Sequence, residues 1–147
     1  MYLLCCGPVR KALIQMDDLV REFVRRRAEF RCEYCCIPES VFVLTFQIEH
    51  IVAKSHGGTD DESNLALACR RCNLHKGPNL SGMPSEGVDP VRLFNPRRDE
   101  WSDHFSMSPD GRLVGGTDIG DVTIRVLQMN HPRRVALRAA IQSLDRD

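Results

Sequence analysis

The sequence predicts an α+β fold, and three observations carry that prediction. An amphipathic stretch fills residues 9–30 and a second helical stretch closes the chain over 130–145. A β-branched and aromatic run occupies 41–49. Two Cys-x-x-Cys pairs bracket the middle of the chain, where a hairpin and a short helix are expected. A chain of 147 residues suits one compact domain and can bury a core without disulfides. The predicted division is a leader over 1–15 and a single domain over 16–147. Within that domain a core spans about 30–78 and a C-terminal strand and helix extension about 92–145.

Residues 1–8, ending at Gly7-Pro8, read as a loose leader that carries Cys5 and Cys6. In the first helix Leu13, Met16, Leu19, Val20, Phe23 and Val24 recur at steps of three and four, which makes one apolar stripe. Residues 31–40 hold Cys32-Glu-Tyr-Cys35 and Pro38, a knuckle-like turn. The run Val-Phe-Val-Leu-Thr-Phe-Gln-Ile-Glu over 41–49 predicts a strand, and Ile51-Val52 a second short one. Gly57-Gly58 and the acidic island Asp60, Asp61 and Glu62 mark a loop over 54–63. Asn64 to Asn73 is apolar and ends in Cys69-Arg-Arg-Cys72, with a short helix stopped at Gly77-Pro78. Residues 79–92, rich in Gly, Pro and Ser, read as a loop or linker. Short strands and turns are expected over 93–127, with Asp110-Gly111 and Gly115-Gly116 as turn signals. Asn130 as N-cap and Pro132 in the first turn open the closing helix.

The formal net charge is zero, yet nucleic-acid binding needs only a local basic patch. Arginines cluster at 21–31, at Arg92, Arg97 and Arg98, and at Arg133, Arg134 and Arg138. No apolar run reaches the ~18 residues of a membrane helix, so no membrane partner is expected. The first residues lack the form of a secretory signal, because basic residues follow the short apolar stretch instead of preceding it. A cytoplasmic location follows as an expectation. There the seven cysteines read as ligands and not as disulfides.

Cys32 and Cys35 form one thiolate pair, and Cys69 and Cys72 the other. A gap of two residues lets both sulfurs of a pair turn toward one point. Two such pairs complete a tetrahedral shell with no open position, which marks a structural Zn²⁺ and not a catalytic one. Cys36 is expected in the core.

Between the knuckles lie Glu49-His50 and, fourteen residues beyond the His, Asn64. Asn73 follows nine residues after that, directly behind the last cysteine. This order and spacing resemble the signature of the HNH endonuclease family, in particular small bacterial standalone HNH proteins with a four-cysteine zinc site. The segment Leu93 to Phe105, with Trp101 and His104, and the tail from Gly116 to His131 resemble the same group, so the likeness covers roughly residues 20–140. Two positions depart from the usual pattern: Glu49 stands where the family commonly has Asp, and Asn73 where it often has His.

The resemblance implies a ββα-metal (His-Me finger) core, and the chemistry fits. A neutral imidazole can take a proton from water near neutral pH, which suits His50 as general base. A hard divalent ion such as Mg²⁺ or Mn²⁺ prefers oxygen ligands, and the resemblance assigns them to Glu49 and Asn73. Asn64 is expected to bridge the loop backbone and hold His50 in orientation. Lys54, Arg70, Arg71 and Lys76 are candidate phosphate contacts. His75 is a minor candidate ligand, because a helix places it roughly 200° from Asn73. His56 reads as a loop residue. Trp101 and Phe105 are expected to pack on the core, and His104 to be a satisfied structural histidine.

The expected function is metal-dependent hydrolysis of DNA phosphodiester bonds, with RNA as a further substrate class. No separate reading helix is evident, so nicking with weak sequence preference is expected, by a monomer or a homodimer. The alternative is a non-catalytic, zinc-stabilised nucleic-acid-binding module.

Overall fold

The computed structural model describes residues 8–147, with side chains from Asp18 onward. Cys5 and Cys6, and the side chains of Leu13 and Met16, lie outside the described residues. Helix α1 runs Pro8–Arg27, where a helical stretch was expected over 9–30. Val24 is fully buried and Val20 packs against the core. Leu19 and Phe23 are exposed, so the inward stripe of α1 is narrower than its sequence pattern.

The expected strand over 41–49 is shorter than predicted. Residues Glu39–Val41 form a 3-10 turn, and strand β1 is only Gln47–His50. The cause is local. Glu39 is buried, is paired with Arg25 at 2.5 Å, and accepts the Phe46 backbone N–H at 2.6 Å. That bond bends the chain across 42–46 and leaves Val43 and Leu44 in solvent. The partner of β1 is not Ile51-Val52 but strand β2, Leu65–Ala68, which is buried at every position. The two are antiparallel, with Gln47 opposite Ala68 and His50 opposite Leu65. Helix α2, Arg70–Lys76, follows at once and packs on both strands.

The rest of the chain braces this unit. Strands β3 (Ser81–Gly82) and β4 (Val91–Arg92) pair within the segment expected to be a loop. Helix α3 (Trp101–His104) leads into strands β5 (Phe105–Met107) and β6 (Leu113–Gly115), joined by the expected turn at Gly111. Helix α4, Asp118–Val126, was not expected; Thr117 caps it by accepting the Gly120 N–H. Helix α5 spans Pro132–Leu144, and its N-cap is His131, not Asn130. Asn130 is drawn away because it clamps Leu113, accepting its N–H at 2.9 Å and donating to its carbonyl at 2.7 Å.

Trp101 and Phe105 pack as expected, with ring centroids 5.2 Å apart, and the Trp101 indole donates to the Tyr34 carbonyl at 2.8 Å. His104 meets the Thr117 hydroxyl at 2.7 Å, a satisfied structural position. Several arginines are struts. Arg138 is buried and donates to the Gly111 and Met129 carbonyls, Arg97 pairs with Glu33, and Arg92 pairs with Asp99 at 2.7 Å. Among the described residues, no helix is long and apolar enough to cross a membrane.

Candidate active site

The two knuckles meet because the first docks on the edge of β2. The Glu33 N–H donates to the Leu67 carbonyl at 2.9 Å, and the Leu67 N–H donates to the Glu33 carboxylate at 2.8 Å. The second knuckle is the β2–α2 junction, where Cys69 is the N-cap of α2. All four sulfurs of Cys32, Cys35, Cys69 and Cys72 are buried and lie within 4.8 Å of one another. The Cys35 and Cys69 sulfurs are 3.8 Å apart. That is far too long for an S–S bond of ~2.05 Å. It matches the edge of a tetrahedron with Zn–S bonds of ~2.3 Å, about 3.8 Å. The cluster therefore suggests a structural zinc. Cys36 stands apart with a left-handed backbone, and burial pushes its thiol up to about 12. It is half-buried, where a core position was expected.

Strand alternation separates Glu49 from His50. His50 faces the loop that joins β1 to β2. Its Nε2 lies 2.8 Å from Asp60 Oδ1, and the Asp60 carboxyl is held below its usual range by its hydrogen bonds to His50 and Lys54. With Asp60 accepting from Nε2–H, the tautomer leaves Nδ1 as the basic atom. Lys54 also pairs with Asp60, at 3.0 Å. Asp60 was legible only as part of an acidic island; the signal that could have found it is its place in the loop between His50 and Asn64.

Asn64 is the clasp of that loop. Its Oδ1 accepts the Val52 N–H at 2.9 Å, while its Nδ2 donates to the Val52 and Thr59 carbonyls, each at 2.9 Å. The Asn64 carbonyl accepts from Ile51 at 2.9 Å. The loop that follows His50 is thus fixed near both of its ends. Gly58 lies so close that a Cβ there would sit 1.7 Å from the Val52 carbonyl oxygen and 2.9 Å from Asn64 Nδ2. Asn64→Ala is expected to cost about 1–3 kcal/mol, the usual penalty for buried groups left unsatisfied. Denaturant unfolding of the variant measures this.

Glu49 points the other way, into the core. Its Oε2 accepts the Tyr34 hydroxyl at 2.6 Å, and its Oε1 lies 2.5 Å from the Lys76 ammonium. Oε1 receives no well-directed hydrogen bond, so the contact is an ion pair. Lys76 also donates to the Ile51 carbonyl at 2.8 Å. Burial raises the Glu49 carboxyl above its ordinary range, although Lys76 and Tyr34 pull it down. Lys76 was expected at phosphates. It is 2 % exposed and fully engaged, so phosphate cannot reach it.

Removing one member of a buried pair typically costs about 3–5 kcal/mol. Lys76→Met is expected to lose that much in a urea melt at neutral pH, and Glu49→Gln with Lys76→Met much less. In the single variant Glu49 titrates with a raised folded-state pKa. Its stability is then greatest in acid and is lost as pH rises through that value.

Asn73 donates its amide to Gln47 Oε1, on the strand face that also carries Glu49. Its amide oxygen remains as a ligating atom. Glu49 and Asn73 offer hard oxygen donors, so the donor types fit a divalent ion. The structure brings together His50, Asn64, Lys54 and Asp60, and separately Glu49 and Lys76. Arg71 donates to Gln128 and joins α2 to the end of α4. Arg70 is exposed, His75 lies toward His131, and His56 is an exposed loop residue.

Residues 32–79 match the family model described as HNH endonuclease, a span that begins at the first ligand cysteine and ends just past α2. No curated protein and no solved structure matches the chain.

Proposed function

We propose, from the match of residues 32–79 to the HNH endonuclease family model, that this chain is an endonuclease that hydrolyses DNA phosphodiester bonds by nicking. The observation that carries the reading is His50, held by Asp60 at Nε2 on a loop that Asn64 clasps from both sides. The hairpin β1–β2 followed by α2 supports a ββα-metal core. In the proposed step His50 Nδ1 takes a proton from water. The water oxygen bonds to phosphorus, the bond from phosphorus to the 3′-oxygen breaks, and the departing oxygen takes a proton from solvent water, to which His50 later gives up its own. The product ends are a 5′-phosphate and a 3′-hydroxyl. Asp60 keeps the imidazole oriented and balances its charge once protonated. A Mg²⁺ or Mn²⁺ ion held by Glu49 and Asn73 would supply charge relief at the phosphate and the leaving oxygen. The cysteine-bound zinc has a closed shell and serves folding. Lys54 and Arg70 are the proposed phosphate contacts near the scissile bond.

Product ends test the step. A nick made by the zinc-loaded protein with Mg²⁺ should be sealed by a DNA ligase, which requires a 5′-phosphate beside a 3′-hydroxyl. Nicks that no ligase can seal would contradict the proposed bond cleavage.

One observation favours the second reading, a zinc-stabilised nucleic-acid-binding module without catalysis. The Glu49 carboxylate already has a cation in Lys76. Oligonucleotide binding without metal-dependent cleavage would select that reading.

A further inference from the structure

A cleft of about 510 Å³ opens beside the hairpin, walled by Phe42, Phe46, Gln47, Arg70 and Arg134. It falls within the size range of small-ligand sites, about 300–1,000 Å³. The bend that shortens β1 creates it: Phe42 and Phe46 turn inward as a tilted pair 5.4 Å apart, while Val43 and Leu44 form an exposed apolar rim. Arg134, from the first turn of α5, lays its guanidinium 4.9 Å from the Phe42 ring centre. Its Nη1 is buried and has no hydrogen-bond partner. A buried guanidinium nitrogen without an acceptor is costly, and an anionic or carbonyl oxygen in the cleft would supply one.

The surroundings are cationic. The His131 imidazole is pushed down by burial and then by Arg71, Arg133, Arg134 and His75, so these positive groups crowd one face at the starts of α2 and α5. Gln47, on the wall of the cleft, also bonds Asn73. The cleft thus adjoins Asn73, a proposed ligand of the divalent ion.

We infer that this cleft binds an unpaired nucleobase of a single strand, stacked against Phe42, with its phosphate on Arg134 and Arg70. Aromatic walls recognise any base through its π-face, and adjacent arginines hold the backbone. A base within an intact duplex is stacked on its neighbours and cannot enter. The protein therefore prefers single-stranded or locally opened nucleic acid. The inference takes its ligand class from the nuclease reading, but binding can be measured without cleavage.

The test is fluorescence anisotropy of labelled oligothymidylate and of a blunt hairpin duplex of equal charge. It uses zinc-loaded protein with no other divalent ion added. Wild type should bind oligothymidylate more tightly than the duplex. Phe42→Ala should weaken oligothymidylate binding by roughly ten-fold, and Phe42→Tyr should restore it. Arg134→Ala should weaken it too and lower the salt slope by about 0.7. Zinc content and melting curves check that each variant is folded. Equal losses on strand and duplex, or no loss in Phe42→Ala and Arg134→Ala, would overturn the inference. Those outcomes leave the nuclease reading intact. Wild type that binds oligothymidylate as expected but cleaves nothing would overturn the nuclease reading and leave this inference intact.

Discussion

Replacing His50 with alanine is expected to lower the rate of metal-dependent nicking by about 10²–10⁴-fold, the usual contribution of a positioned general base. The side chain is 29 % exposed and forms no part of the buried core, so the fold should survive. Zinc content and melting temperature should stay close to wild type. The effect separates chemistry from architecture, because the Asn64 clasp and the Glu49–Lys76 pair do not depend on the imidazole. Asp60→Asn should act in the same direction with a smaller loss. It removes the anion that orients and balances His50, but that carboxylate sits in solvent, where such pairs are weak. A His50→Ala protein that nicks at the wild-type rate would show that another group activates the water.

Removal of the zinc should have the largest effect on stability. Binding of structural zinc is worth about 10–16 kcal/mol in zinc-finger peptides. The net stability of a whole domain is ~5–15 kcal/mol. The four cysteines join the first knuckle to the β2–α2 junction, so their loss separates the two halves of the candidate site. Chelation of zinc, or Cys72→Ser, should abolish the cooperative thermal transition. Zinc returned to the chelated wild type should restore it, and zinc returned to Cys72→Ser should not. Elemental analysis should find about one zinc per wild-type chain. A normal cooperative melt from zinc-free protein would remove the structural role.

The zinc ligands and the order His50, Asn64, Asn73 were legible in the sequence because their information is local. A two-residue gap between cysteines, or a fixed interval between an imidazole and an amide, is written along the chain. The clasp made by Asn64 follows from the same logic, since a short polar side chain can bond the loop that precedes it. Tertiary features were less legible. Residues 41–46 have strand composition, but a buried glutamate fourteen residues beyond Arg25 captures the Phe46 N–H and bends the chain. The sequence could not show that Lys76 faces Glu49 and not solvent, because a lysine in the last turn of a helix normally reads as exposed. Helix α4 was hidden by Gly115 and Gly116, which read as turns. In the structure Gly120 touches the His104 carbonyl so closely that a Cβ would lie 2.1 Å from it. The arginine clusters misled in part, since Arg97 and Arg138 hold the fold together from within, and Arg92 pairs with Asp99 at the surface.

The most direct test of the central claim is conversion of supercoiled plasmid to the open-circular form by zinc-loaded protein, with and without Mg²⁺ or Mn²⁺, for wild type beside His50→Ala. The account predicts open circles from wild type only when the divalent ion is present, and almost none from His50→Ala. Folded, zinc-loaded wild type that cuts neither DNA nor RNA with either ion would contradict it.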